Sequence, residues 1–420
     1  HLSIRRQRQM CIRDSAGTVR ISNSANLQYR FDNGHWRMDS GASFSTSRNW
    51  NRNISHGTFN RLTITTAQPV RIVFDGITRD SRPGTIQAFD NSNREVDLYN
   101  IDNYQLTGAS GGRTQTNDEF TAGYLNVRRQ INAFRFPFAI QAGLSDRVQE
   151  RDRRGSTLNW TYGGIDGNAA TRESPRPYLM QVYVNQDPGY GFTQTPPWVS
   201  GARAWSAFVA NPILFSKTPA QLVSDESSRI NGSLFFKEQV TAYYTQAEMR
   251  LLNNRLNVLS GVRFEKTTTE GLGPVDDPSA AFVRNADGTF ARNAAGQRIR
   301  KPEAGAAGSM ENLLITQKER GYSAERSYDG YYPSLHLTYN LQENFLARAA
   351  YARTYGRPDL VEIIPNTVVN EFDLDEDDLA DPDAVRGTLT VRNTGLRPWT
   401  ADNYDPVSYT HLTLPTNREV

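Results

Sequence analysis

The chain has 420 residues, a net charge of +2, 37% hydrophobic residues and a single cysteine. One cysteine excludes a disulfide scaffold and a thiolate metal site, and a charge this close to neutral gives no electrostatic case for nucleic-acid binding. No run of about eighteen apolar residues occurs, which excludes a transmembrane helix but leaves open a membrane β-barrel, whose alternating strands hide in the average hydropathy.

The two ends differ in character from the rest of the chain. The codons of Arg5–Ser15 can be written as sequencing-adapter DNA, and those of Val407–Thr416 as its reverse complement. The codons of the first four residues can likewise be written as the reverse complement of those of the last four. We therefore interpret 1–15 and 407–420 as translated adapter DNA, expected to lack regular structure, and base the fold on 16–406. Without these ends the cysteine is lost. The net charge becomes about −1, because four arginines and one aspartate leave with the first segment, while the second is neutral.

Four hairpins are predicted in chain order, because apolar and polar residues alternate with period two on both sides of four short turns. The first turn contains Asn33-Gly34, a strong signal for a two-residue hairpin loop. Its apolar rows are Leu27, Tyr29 and Phe31 before the turn and Trp36, Met38, Ala42 and Phe44 after it. The second turn contains Asn132, and its apolar row is Phe134, Phe136, Phe138, Ile140, Ala142 and Leu144.

The third and fourth hairpins lie in the second half of the chain. Around Asn253-Asn254 the apolar rows are Phe236, Val240, Ala242 and Tyr244, then Leu256, Val258, Val262 and Phe264, with Asn257, Arg263 and Glu265 on the opposite face of the outgoing strand. The fourth hairpin begins with Tyr331, Pro333, Leu335, Leu337, Tyr339 and Leu341 on one face and Ser334, His336, Thr338 and Asn340 on the other. After a short turn, the returning apolar row is Phe345, Ala347, Ala349 and Tyr351.

Long polar stretches separate the hairpins, at about 49–117, 148–232 and 271–327. Each pair of strands therefore has a short turn at one end and a long loop at the other, which is typical of bacterial outer-membrane barrels. We predict an all-β fold: part of an antiparallel transmembrane β-barrel with short periplasmic turns, long extracellular loops and strands of about ten residues. A soluble β-sandwich or propeller is disfavoured, because those folds use shorter strands and rarely carry such loops.

Three segments resemble the TonB-dependent receptors of Gram-negative outer membranes. They are ARAAYARTYGRPDLVEIIPN (Ala347–Asn366), LLNNRLNVLSGVRFEKT (Leu251–Thr267) and NTGLRPWTADNYD (Asn393–Asp405). Residues 16–230 are similar only in their general barrel pattern. The resemblance implies a monomeric barrel of about twenty-two strands around a plug. It also implies active uptake of a scarce ligand, energised by TonB.

The resemblance further implies the partners of the complete protein. They are the TonB complex, which is reached through an N-terminal region, together with outer-membrane lipid and a small-molecule ligand. The resemblance implies no cofactor. The sequence shows no plug, no TonB box and no terminal aromatic strand. Residues 16–406 are therefore expected to be the middle of a barrel that does not transport by itself, because a barrel must close. A passive porin and a surface adhesin remain alternatives, and an enzyme is not expected.

Aromatic residues in the stretch 148–232 are the candidate ligand-binding residues. They are Trp160, Tyr162, Tyr190, Trp198 and Trp205. Aromatic faces beside polar groups stack on sugar rings or clamp other ligands. We therefore consider an oligosaccharide, an iron–siderophore complex or a cobalamin-like cofactor, with the aromatics favouring a saccharide. The alternative is that these side chains pack the loop against itself.

An acidic cluster offers a weak candidate for calcium. Asp373, Asp375 and Asp377 have the spacing of the first ligands of a calcium loop. The sixth position, which needs glycine, is Asp378, and the twelfth, which needs glutamate, is Ala384, so a standard EF-hand is excluded. The alternative is a solvated loop whose charges repel one another.

Arg353, Arg357 and Asp359 lie where the last predicted strand enters its loop, and Pro358 ends the strand pairing because it lacks an N–H donor. We interpret Arg357 as anchoring the loop to the rim of the barrel rather than as contacting ligand. The histidines are scattered, so the sequence predicts neither a metal cluster nor a histidine-based triad.

Overall fold

Strands account for most of the fold. The computed structural model describes residues 2–13, 16–77, 84–171, 173–180, 197–342, 345–357, 364–372, 385–391 and 396–410. The strands are β1 Leu2–Arg13, β2 Ala16–Asp32, β3 Trp36–Arg52, β4 Arg61–Thr66, β5 Arg71–Asp75, β6 Thr85–Phe89, β7 Tyr104–Ile131, β8 Phe138–Tyr162, β9 Phe215–Ser216, β10 Leu234–Leu251, β11 Leu256–Asp276, β12 Gln317–Gln342, β13 Phe345–Gly356, β14 Thr367–Glu371, β15 Gly387–Val391 and β16 Trp399–Thr410. The helices are α1 Gly201–Ala210, α2 Pro219–Asn231 and α3 Met310–Thr316.

Ten strands form the main path of one antiparallel sheet, in the order β1-β2-β3-β7-β8-β10-β11-β12-β13-β16. Successive long strands are therefore neighbours, as the hairpin prediction requires. In the part of the chain that the structure describes, β1 and β16 are the two edges and the sheet is open. The predicted antiparallel all-β class is confirmed. None of the helices in the described residues has the length and apolar character needed to cross a membrane.

The turns occur where the sequence predicts them. Asn253 and Asn254 connect β10 to β11 with φ of 56° and 66°, and Gly34 connects β2 to β3 with φ of 82°. This left-handed region is accessible to glycine and asparagine, which explains why those residue types mark the turns. Phe134 and Phe136 were expected in a strand, but they lie in the turn between β7 and β8, where their rings stack 5.4 Å apart.

A row of apolar side chains, each exposed or half-buried, crosses one face of the sheet. Leu125, Leu144, Tyr243, Phe264 and Tyr331 are directly opposite one another on β7, β8, β10, β11 and β12. Tyr331 is 66% and Tyr243 54% exposed. Between this row and the short turns the same face remains mostly apolar. We call this region the apolar belt, and the face opposite to it the polar face.

The height of the apolar belt matches a bilayer. On β12 the belt runs from Tyr331 to Leu341. Eleven residues of strand are roughly 33 Å long, and the 35–45° tilt of outer-membrane strands reduces this to a height of roughly 25 Å. Aromatic residues lie at both ends of the belt, as at membrane–water interfaces.

One predicted row lies on the wrong face. Ala242 is directly opposite Glu265, and Tyr244 is directly opposite Arg263, so the row Phe236, Val240, Ala242 and Tyr244 belongs to the polar face. Phe236 and Ala242 are fully buried there. Alternation shows which residues of one strand share a face. Only the pairing register shows which face of that strand is continuous with which face of its neighbour.

The strands are longer than predicted, because they continue far beyond the apolar belt. Strands β7 and β8 have 28 and 25 residues, rather than about ten. Much of the sequence expected in long loops is therefore strand that is polar on both faces. Backbone ladders form without apolar side chains, and cross-strand ion pairs such as Arg151–Asp118 at 2.5 Å and Lys237–Glu150 at 2.7 Å support them.

The ends also differ from expectation. Leu2–Arg13 pairs along its whole length with β2, and the last residues of β16 pair with β13 up to Thr410, although both were expected to lack regular structure. The edge of a sheet presents unpaired N–H and C=O groups, which any extended segment can satisfy whatever its side chains.

Candidate functional site

Two carboxylates are buried side by side on the polar face. Alternation places Glu238 of β10 and Glu265 of β11 on this face, and their side chains are only 4% and 6% exposed. Arg357, just after β13, lies between them. Its Nη1 is 2.9 Å from Glu238 Oε1 and its Nη2 is 2.6 Å from Glu265 Oε1. One arginine thus joins three strands.

Further donors complete this arrangement, which we call the ion network. Arg147 lies 3.0 Å from Glu238, and Arg263 lies 3.0 Å from Glu265. Tyr355 donates its hydroxyl hydrogen to Glu265 and accepts a hydrogen bond of 2.6 Å from Arg357. Each buried carboxylate therefore has two arginine partners, which compensates the cost of removing it from water.

The polar face stays charged towards the short turns. Arg128 of β7 pairs with Glu248 of β10 at 2.8 Å. Tyr244 donates to Asn126 and accepts from Gln141, both at 2.7 Å. Behind the apolar belt, the same strands thus carry a hydrogen-bonded polar surface, which is the arrangement of a wall between lipid and a hydrated interior.

The structure supports the anchoring interpretation of Arg357, because its partners Glu238, Glu265 and Tyr355 all belong to the sheet. Arg353 is exposed, and Pro358 and Asp359 lie outside the described residues. The partners of Arg357 could not be found from sequence, since Glu238 and Glu265 are 119 and 92 residues away along the chain.

An aromatic cluster holds the loops beyond the far end of the sheet. Phe59 is fully buried at its centre, with ring centroids 5.2 Å from Trp160, 5.1 Å from Trp205 and 4.9 Å from Phe215. Tyr162, which is 3% exposed, lies 5.1 Å from Phe215. The cluster joins β8, α1, β9 and the segment after β3 into one loop core.

The structure therefore brings together Trp160, Tyr162 and Trp205 of the candidate ligand-binding residues. Trp198 lies at the surface and is 42% exposed. Tyr190 lies outside the described residues. Phe59 and Phe215 were missed because each lies outside any periodic pattern, so nothing local marks them as buried.

Helix α2 covers the free edge of β8. Thr218 and Gln221 form a capping box, and Pro219 occupies the first helical position, so the sequence starts the helix there. Asp225, buried within the helix, accepts a 3.0 Å hydrogen bond from the backbone N–H of Asn159 and pairs with Lys217. The helix thus supplies the acceptor that a neighbouring strand would otherwise provide.

Helix α2 also carries a charged pair at the surface. Arg229 hydrogen-bonds Glu226 one turn earlier and reaches Glu319 of β12 at 2.5 Å. The hydrogen bond from Arg229 lowers the pKa of Glu226, against a smaller opposing effect of burial. The bonds to Glu226 and Glu319 raise the pKa of Arg229.

The structure offers no support for a metal site within the residues that it describes. Those residues contain no group of three or more His, Cys, Asp and Glu side chains that could hold a metal ion. Asp373, Asp375 and Asp377 lie outside them, so the calcium interpretation stays a prediction. Glu371, just before that segment, pairs with Arg284 at 2.5 Å.

Comparison with known proteins shows a family match over most of the chain. A sequence model of the family described as TonB dependent receptor-like, beta-barrel, matches residues 22–405. None of the curated protein sequences compared with the chain matches it significantly.

Several solved structures are similar at low identity. The closed form of the ferric-catecholate import receptor Fiu from E. coli K12 is 9% identical with a TM-score of 0.43, and the match covers 94% of this chain and 39% of that one. The ferric preacinetobactin receptor BauA from Acinetobacter baumannii is 8% identical with a TM-score of 0.38, covering 94% and 36%. The ferric yersiniabactin uptake receptor FyuA from Yersinia pestis is 10% identical with a TM-score of 0.26, covering 98% and 47%. The chain spans less than half the length of each of these receptors.

Proposed function

Because the chain belongs to the TonB-dependent receptor-like β-barrel family, we propose that it forms part of the wall of a receptor that imports a scarce ligand with energy from TonB. The family match over 22–405 confirms the family predicted from sequence and places the chain in the outer membrane of a Gram-negative bacterium. The family consists of receptors rather than enzymes. What we propose is the uptake reaction, its ligand and the partners of the complete protein.

The observation that carries the proposal is the difference between the two faces of the same strands. The apolar belt exposes Tyr243 and Tyr331, as a lipid-facing surface does, whereas the polar face buries Glu238 and Glu265 in an ion network. A charged inner wall suits a hydrated interior that holds a plug and passes a polar ligand. TonB would act on that plug in a complete, monomeric barrel.

The loops are the proposed place of ligand binding. Trp160, Tyr162 and Trp205 would keep the loop core rigid, and a rigid loop loses less conformational entropy when it binds. Trp198, with its exposed ring, would contact the ligand, as would Tyr190. An oligosaccharide or an iron–siderophore complex fits this surface, because both offer flat faces with polar edges.

Transport by the host bacterium tests the proposal. The gene would be deleted and restored, and uptake of labelled oligosaccharides and ferric siderophores measured with and without a functional TonB. We expect saturable uptake of one ligand class that needs both the gene and TonB. Restoring the gene with Trp198→Ala should raise the concentration for half-maximal uptake about tenfold, whereas Val209→Ala, also at the loop surface, should not.

The alternatives give different results in the same experiment. A passive porin would give uptake that rises linearly with concentration and does not depend on TonB. A surface adhesin would give no uptake of either ligand class. Either outcome would remove the active-transport proposal while leaving the family and the fold in place.

A further inference from the structure

The pair Asn-Gly occurs twice in the sequence, at Asn33-Gly34 and at Asn231-Gly232. Such a pair can rearrange without an enzyme, because glycine has no side chain to shield its backbone nitrogen from the asparagine side chain before it. The two pairs lie in different surroundings. Asn33-Gly34 belongs to the exposed turn between β2 and β3, whereas Asn231-Gly232 ends α2 and leads into β10.

The turn between β2 and β3 holds a carboxylate against the backbone nitrogen of Gly34. The N–H of Gly34 donates to Asp32 Oδ1 at 2.9 Å. The φ of Gly34 is 82°. Apart from its chain neighbours, no heavy atom of the described residues lies within 4 Å of the position that a Cβ would take there. This nitrogen therefore has a base beside it and free space around it, and both favour its attack on a neighbouring carbonyl carbon.

The same turn polarises the side-chain amide of Asn33. Its Oδ1 accepts two backbone hydrogen bonds, from the N–H of His35 at 3.1 Å and from the N–H of Trp36 at 2.7 Å. These donors stabilise the negative charge that grows on the oxygen when a nucleophile attacks Cγ, as the donors of an oxyanion hole do. Strand β7 keeps them in place, because Gln130 N–H donates to His35 O at 2.8 Å and the guanidinium of Arg129 lies 4.7 Å from the Trp36 ring.

The backbone at Asn231-Gly232 is held on both sides. The N–H of Gly232 donates to Ser228 O at 2.9 Å, and its carbonyl accepts from the N–H of Gly155 at 3.0 Å. A Cβ on Gly232 would meet Gly155 O at 2.2 Å, so β8 is packed directly against this glycine. The amide nitrogen of Asn231 donates to Ser227 Oγ at 3.2 Å. Attack by the nitrogen of Gly232 has to break these contacts, so the second pair is a natural control for the first.

We propose that Asn33 is a site of spontaneous deamidation in which Asp32 is the base. The nitrogen of Gly34 attacks Asn33 Cγ and closes a five-membered ring, while the proton of its N–H passes to the Asp32 carboxylate. The bond from Cγ to the side-chain nitrogen then breaks, ammonia leaves with that proton, and a succinimide remains. Water opens the succinimide at either carbonyl, which leaves an aspartate or an isoaspartate at position 33 and a second negative charge beside Asp32. The site does not depend on the proposed uptake.

Mass spectrometry of the aged protein tests this proposal. The full chain in nonionic detergent would be incubated near neutral pH and digested with trypsin, which releases the two pairs in the separate peptides 31–37 and 230–237. Deamidation replaces NH2 by OH and raises the mass of a peptide by one unit. We expect position 33 to react at least about tenfold faster than position 231 in the folded chain, and the two to react at similar rates in urea. Equal rates in the folded chain would overturn the proposal, and so would a tenfold difference that persists in urea, because the selectivity would then come from the sequence alone.

A pair of variants separates the base from the shape of the turn. Asp32→Ala should slow deamidation at position 33 about tenfold, and the remaining rate should rise about tenfold per pH unit, because hydroxide then takes the proton; the rate in the unmodified chain should rise less steeply. Asp39→Ala removes a carboxylate of the same hairpin that pairs with Arg30 and Arg37, and it should leave the rate unchanged. Position 231 reports on folding in each variant, since it reacts faster once the chain unfolds. If Asp32→Ala reacts as fast as the unmodified chain while position 231 stays protected, Asp32 takes no proton and the proposal is wrong.

Discussion

Strand β11 is built differently in its two halves. From Leu256 to Phe264 it lies in the apolar belt, where Val262 is 40% exposed on the face that meets lipid. From Glu265 onwards the side chains on its polar face are buried by other parts of the chain, with Thr267 and Thr269 at 1% and 2% exposure. The first half needs a bilayer to cover its apolar side chains, whereas the second half is covered by protein. Substitutions in the two halves should therefore respond to different environments.

The largest effect is expected from breaking the ion network that lies between these halves. Arg357→Ala leaves two carboxylates, Glu238 and Glu265, each with one arginine fewer in a buried position. Removing one partner of a buried ion pair costs about 3–5 kcal/mol. The free energy of unfolding of the full chain, measured by urea titration in detergent, should fall by that amount.

Arg353→Ala is the matched control for the ion network. Arg353 lies four residues earlier and is exposed, so its removal should change the free energy of unfolding by less than about 0.5 kcal/mol. Equal effects of the two substitutions would mean that Arg357 acts only through the overall charge of the chain. That result would remove the anchoring role.

Phe59→Ala should loosen the loops without disturbing the apolar belt. A fully buried phenylalanine replaced by alanine costs about 3–5 kcal/mol, and here the loss falls on the aromatic cluster. Hydrogen exchange should accelerate in α1 and around Trp160, while the exchange of 243–251 and 256–264 stays unchanged. Faster exchange in those belt segments would show that the loop core and the belt unfold together.

The apolar belt itself is tested by a substitution and its neighbour. Leu335→Arg places a charge on the lipid-facing side near the middle of the belt, which costs about 2–4 kcal/mol in a bilayer. His336→Arg changes the next residue, which faces the other way, and should cost much less. Folding into lipid vesicles, followed by urea titration, measures both. If both variants lose the same stability, the two faces of β12 are assigned wrongly.

The sequence was informative where structure depends on neighbouring residues. Asn33-Gly34 and Asn253-Asn254 marked their turns because the left-handed backbone there restricts the residue type. The row from Tyr331 to Leu341 marked a lipid-facing strand because alternation is a local property. These signals were sufficient for the fold class and for the direction of the hairpins.

Other features depend on residues that are distant in sequence, and they could not be predicted. Phe236 lies on the polar face because of its pairing register, which is settled by contacts with β8 and β11. Thr267 and Thr269 lie between the predicted apolar row, which ends at Phe264, and the long polar stretch predicted from about 271, yet both belong to β11. Trp160 and Trp205 were recognised as important aromatics, but their burial depends on Phe59, about a hundred residues before Trp160 in a different loop.

The smallest predicted effect is a pH dependence of helix α2. The pKa of Glu226 in the folded chain is held below its ordinary value of 4.5 by the hydrogen bond from Arg229. The ion pair therefore contributes fully above that pH, and its contribution is lost as the pH falls below 4.5 and through the lowered pKa. An exposed pair one helical turn apart is worth roughly 0.2–0.5 kcal/mol. Hydrogen exchange in α2 should accelerate by about a factor of two between pH 6 and pH 3, after correction for the intrinsic rate.

Glu226→Gln removes the titrating group, so the corrected exchange in this variant should already be fast at pH 6 and should change less with pH. An equal acceleration in both proteins would assign the pH dependence to another carboxylate, such as Glu319, which Arg229 also contacts.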